Sequence, residues 1–62
     1  MNTTVNYILW YSVNGNPFRR KFTELAFAKR ELDMIRNAET KQVHYDYAYI
    51  DKVTSKYERL TL

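Results

Sequence analysis

Trp10, Arg19 and Lys21 are the residues of this chain whose types and spacing most suggest joint chemistry. In a hairpin that turns at Asn14-Gly15, Trp10 falls opposite Arg19, and Lys21 lies two places further along the same face. A guanidinium over an indole is a cation–π pair worth about 0.5–1 kcal/mol at an exposed site, and its role can end with shielding the ring. The same patch could instead serve a partner, by stacking nucleic-acid bases or by filling a protein pocket, where Trp, Tyr and Arg dominate binding energies. Tyr45, Tyr47 and Tyr49 recur at every second position and so share one face of a strand. Turned toward a helix they are core with their hydroxyls at the rim, and Val43 and Val53 on the same side favour that arrangement. Turned outward with Trp10, they form an aromatic platform of the kind used by sheet-surface RNA binders. A bulge near Asp51 would make each half of the strand follow one of the two readings. Phe27 and Met34 sit beside the apolar stripe of a helix rather than on it. Left exposed, they mark a protein contact; a helix rolled on a thin sheet would bury them.

His44 and Asp46 share a strand face, a spacing at which a carboxylate could orient an imidazole. The expectation is a plain solvent-facing pair, because nothing else needed for catalysis accompanies it. The chain has one His and no Cys, no paired nucleophile and base, no Gly-rich phosphate loop and no clustered metal ligands. The residues therefore predict a non-enzymatic protein without metal or cofactor.

Ten of the 62 residues are aromatic: six Tyr, three Phe and one Trp. A domain of that size hides only about 60% of the surface its unfolded chain exposes, so some rings are expected to remain outside. Hydrophobic content of 45% against 27% charged residues suits one small globular domain rather than a disordered tail. The formal net charge of +3 would assist docking on nucleic acid or on an acidic protein without choosing between them. Absence of cysteine removes a disulfide framework and points to a cytoplasmic setting. The longest apolar stretch, Tyr7 to Tyr11, is far too short to span a bilayer. Met1-Asn2-Thr3-Thr4 lacks the layout of a secretory signal, so no membrane partner is expected.

The elements that must position these residues follow from periodicity. Val5, Tyr7, Leu9, Tyr11 and Val13 alternate with Asn6, Ile8, Trp10 and Ser12, which predicts a strand over about 5–13. Asn14-Gly15 predicts a two-residue hairpin turn, since both tolerate positive φ. Pro17 cannot donate to a ladder, so the returning strand, about 18–22, is expected at a sheet edge. Its register would set Tyr7, Leu9, Tyr11, Phe18 and Phe22 on one face and Ile8, Trp10, Arg19 and Lys21 on the other. Arg20 falls on the opposite parity, so the three consecutive cations are not one patch. Thr23 is the expected N-cap, and Leu25, Ala28, Leu32 and Ile35 define the buried stripe of a helix over about 24–37. A polar connection over 38–42 leads to a third strand, about 43–53, and residues 54–62 read as a loose tail in which Tyr57, Leu60 and Leu62 could latch. The predicted fold is α+β: ββαβ, a three-stranded antiparallel or mixed sheet in the order 2-1-3, with one helix packed on one face and the other face open.

The run Tyr7-Ile8-Leu9-Trp10-Tyr11 through Asn14-Gly15, followed by Phe22-Thr23-Glu24-Leu25 and Ala28, resembles a pattern found in small phage and mobile-element accessory proteins. In architecture it looks like the small phage inhibitor of bacterial RNA polymerase, with hairpin, helix and strand in that order. Over Tyr7 to Ile35 it is also similar to the arm-type DNA-binding domains of tyrosine integrases, which place three strands before the helix. The resemblance covers about two thirds of the chain. It implies a phage-type accessory protein and nothing finer. Together with the aromatic and cationic residues above, the expectation is a protein that binds a host protein in the host cytoplasm and inhibits or redirects it, with Trp10, Arg19, Lys21, Phe27 and Met34 as contact residues. Nucleic-acid binding through the open sheet face is the alternative, and a homodimer formed through the 18–22 edge or the Phe27/Met34 shoulder is a third.

Overall fold

The computed structural model describes residues 4–38 and 43–62. Two strands open the fold, β1 (Asn6–Val13) and β2 (Asn16–Phe22). Between them Asn14 and Gly15 take φ of 50° and 83°, the pair of positive angles that lets a two-residue turn follow the natural twist of its strands. The register is the one expected from that turn: Tyr11 faces Phe18, Trp10 faces Arg19 and Tyr7 faces Phe22. Pro17 belongs to β2, which begins two residues earlier than predicted. It stands opposite Ser12 at a position where no hydrogen bond to β1 is required of it.

Helix α1 (Leu25–Asn37) carries the chain across one sheet face. Its N-cap is Glu24 rather than the expected Thr23, in extended backbone and with no side-chain capping bond. Ala28 and Leu32 are fully buried against Leu9, Ala48 and Ile50, with Leu25 and Ile35 packed at the margin. Tyr7, Tyr11, Phe22 and Tyr45 close the same core from the sheet side. Phe18, expected on that face, stacks on Tyr11 at 5.2 Å between centroids but remains 47% exposed at the edge.

Strand β3 (Tyr45–Val53) returns antiparallel to β1 on the side away from β2. The chain end is not a loose tail. Tyr57–Arg59 form a fourth strand, β4, antiparallel to β3, so the sheet has four strands in the order β2-β1-β3-β4 rather than three. Among the described residues every pairing is antiparallel, and none is of the mixed kind. The Leu60 N–H extends the β3–β4 ladder by donating to the Ile50 carbonyl at 2.9 Å, which brings the Leu60 side chain onto the core. From the last turn of α1, Arg36 donates to the carbonyls of Ala48 and Leu62, at 3.1 and 3.2 Å, and ties helix, β3 and chain end together. Of the polar connection expected over 38–42 only Ala38 is described.

Candidate functional site

The uncovered side of the sheet is organised by an irregularity in β3. Ser12 pairs with Tyr47 and Val13 with Tyr45, so Asp46 is an extra residue, a bulge, and the strand changes face there. A bulge near Asp51 could have reconciled the two readings; the observed one lies at the other end of the strand. Before it, Tyr45 turns to the helix side and joins the core margin. After it, Ala48 and Ile50 are buried on the helix side, while Tyr47 and Tyr49 stand with Trp10 on the open face. The favoured expectation that all three tyrosines are core is thus corrected for Tyr47 and Tyr49, and Tyr45 does not belong to the platform. Apolar partners decide the matter: Leu9 is opposite Ile50, and only one of two adjacent β3 residues can meet the helix.

Asp46 also explains why the bulge is stable. Its carboxylate accepts from the Ser12 hydroxyl and from the Gly15 N–H, both at 2.8 Å. Those two bonds, in that order, with the nearby His44, hold its pKa below the ordinary 3.8 against the opposing effect of desolvation. Beside it the Asn14 N–H donates to the His44 carbonyl, and the His44 N–H donates to the Asn14 side-chain oxygen. The hairpin turn is therefore tied to the start of β3: His44 and Asp46 are both exposed, as expected, and in addition act as a structural clasp. Asn-Gly followed by a distant Asp offers no sequence pattern by which this could have been read.

Across the open face the side chains form successive rows. Lys21, Ile8, Asp51 and Arg59 make one; Arg19, Trp10 and Tyr49 the next; Pro17, Ser12 and Tyr47 a third. The Arg19 guanidinium carbon lies 5.6 Å from the Trp10 ring centroid. That of Arg59 lies 3.5 Å from the Tyr49 centroid, and Tyr47 stacks on Tyr49 at 5.5 Å. Tyr47 precedes Tyr49 by two residues, whereas Arg59 stands opposite Asp51, two residues beyond it. Tyr49 is therefore clamped from both directions along β3. Arg59 is fixed in turn by Asp51, whose carboxylate accepts from Nε at 2.7 Å; this bond is the main reason the guanidinium pKa is raised. Asp51 is 6% exposed, and the cation that pairs with it is the same one that covers the Tyr49 ring. Arg59 was not among the residues singled out from sequence, because its place depends on β4.

Trp10 is half-buried in this array, and its Nε1–H is enclosed with no hydrogen-bond partner among the described residues. Arg20 points to the other face, where it meets Glu31 at 2.7 Å and lies over Phe22, separate from Arg19 and Lys21 as the parity required. Phe27 and Met34 are 53% and 60% exposed, so the helix does not roll to bury them. Met34 lies with Ala26, Lys29, Arg30 and Asp33 along an open surface of α1, away from the aromatic rows of the other sheet face. The structure thus separates the five predicted contact residues into two sites: Trp10, Arg19 and Lys21 on the sheet, Phe27 and Met34 on the helix. Among the described residues no three His, Asp or Glu side chains converge in a way that could hold a metal ion, and no described helix is long and apolar enough to cross a membrane. No protein-family model, curated protein or solved structure matches this chain.

Proposed function

We infer that this chain is a non-enzymatic, phage-type binding module that docks its open sheet face on a host protein and blocks or redirects it. The observation that carries this reading is the clamped ring array, Tyr47 on Tyr49 under Arg59, beside Trp10 under Arg19. Rings already held by one another lose little freedom on binding, and pre-ordering of this kind lowers the cost of association. Free π faces, which a base-stacking platform needs, are scarce here because Tyr49 is occupied on both sides. Trp10 is the anchor, Arg19 and Lys21 set orientation, and Phe27 with Met34 offer a second contact on the helix.

The test is capture from a bacterial host lysate, with and without nuclease, followed by titration of the captured protein against the wild type and Trp10→Ala. The variant is expected to stay folded and to bind more weakly by about 2 kcal/mol or more. Unchanged affinity rules out the face as the site. A second reading, single-strand nucleic-acid binding, is favoured by one observation: Tyr47 keeps 39% of its surface exposed on the sheet face that also carries Arg19 and Lys21. It requires capture to vanish with nuclease and affinity to fall with salt by roughly 0.7 in log–log slope per phosphate contacted.

A further inference from the structure

Strand β2 is the outer strand of the sheet, and no described strand lies against its far side. The turn at Asn14-Gly15 fixes which of its backbone groups are free. In a two-residue hairpin the flanking pair, Val13 and Asn16, exchanges hydrogen bonds, and bonded and non-bonded pairs then alternate. Phe18, Arg20 and Phe22 are thereby bonded to β1, while Pro17, Arg19 and Lys21 direct their backbone groups outward. Pro17 has no N–H, so the edge offers two donors, the amides of Arg19 and Lys21, and the carbonyls of all three. These same two residues carry their cationic side chains on the open face, and among the described residues no acidic side chain pairs with either.

We propose that the outer edge of β2 accepts an extended, acidic segment of the partner protein as a fifth strand, paired antiparallel through Arg19 and Lys21; the proposal rests on the protein-docking reading of the open face. Residues directly opposite in a ladder point to the same face. The incoming segment therefore carries Asp or Glu opposite Arg19 and opposite Lys21, two residues apart, and an apolar residue opposite Phe18, whose ring is half-exposed at this edge. A second copy of the chain is a poor occupant. Pairing β2 with β2 about Arg19 sets Arg against Arg, and shifting by one residue sets Arg19 against Lys21 twice; like charges so placed destabilise a ladder. Main-chain pairing supplies affinity and the alternate side chains supply specificity, as in other strand-addition complexes.

The experiment is amide hydrogen exchange by NMR on the full chain with a short acetylated peptide of alternating Glu and Val at millimolar concentration. Exchange at Arg19 and Lys21 is expected to slow at least tenfold at saturation, while Arg20, already bonded to Leu9, changes little. The same peptide N-methylated at its glutamates keeps its charge and loses its donors; it should bind at least tenfold more weakly. The double variant Arg19→Glu, Lys21→Glu should lose the peptide and accept a Lys/Val counterpart. Equal binding of the N-methylated peptide, absence of protection, protection that grows with protein concentration without peptide, or preference for an oligothymidylate would each overturn the proposal. The Trp10 indole resonance reports separately: its movement without edge protection defeats strand addition alone, and edge protection with loss of all effect from Trp10→Ala defeats the face reading alone.

Discussion

Leu9 and Trp10 are neighbours in β1 that point to opposite sides of the sheet, and replacing each by Ala tests the two-faced design directly. Leu9 has no exposed surface and packs against Ala28, Leu32 and Ile50. Truncating a fully enclosed Leu costs about 2.7–5 kcal/mol, the lost transfer energy plus the cavity left behind. A single core in a chain of this size supplies roughly 3–5 kcal/mol in all, so Leu9→Ala should be largely unfolded at 25 °C. Trp10 is larger, yet it is only half-buried, on a face without a covering layer. Its removal also relieves an enclosed N–H that has no partner, which offsets about 1–3 kcal/mol of the loss. A net cost of about 1–2 kcal/mol is expected, a fall in Tm of roughly 5–15 °C for a domain of this length. Far-UV circular dichroism through thermal and urea unfolding measures both variants without relying on the indole. Equal destabilisation by the two would mean that the core straddles the sheet, and the open face would cease to be a docking surface.

Acid should loosen the hairpin clasp. Because Asp46 titrates below 3.8 in the folded chain, its contribution is fully present above the ordinary carboxylate value and is lost as pH falls through the lower folded value; Asp46→Asn should remove that limb from the stability profile, with the Gly15 amide shift as the local readout. At the other end of β3, Arg59→Ala should release β4, because it strips the buried Asp51 carboxylate of its cation and Tyr49 of its cover. Accelerated exchange of the Leu60 amide measures this, and Arg59→Lys should restore it only in part, since an ammonium lacks the planar stacking group.

Much of the fold was legible in the chain because short-range rules decided it. The period-two run of β1, the positive-φ turn at Asn14-Gly15 and the Leu25/Ala28/Leu32/Ile35 stripe each specify an element without reference to the rest, and the β1–β2 register followed from turn length. Tyr47 and Tyr49 could not be placed in this way. Their face depends on Asp46 being accommodated as a bulge, and what stabilises it is a carboxylate meeting Ser12 and Gly15, more than thirty positions earlier in the chain. Residues 57–59 likewise have little strand character of their own; they extend because β3 presents an unpaired edge and because Asp51 holds Arg59. Local sequence therefore determined β1, β2, α1 and β3 as elements, and that Trp10 and Arg19 would meet. Tertiary structure decided which tyrosines join them and that Arg59 completes the array, since hydrogen bonds and ion pairs between distant residues have no periodic signature along the chain.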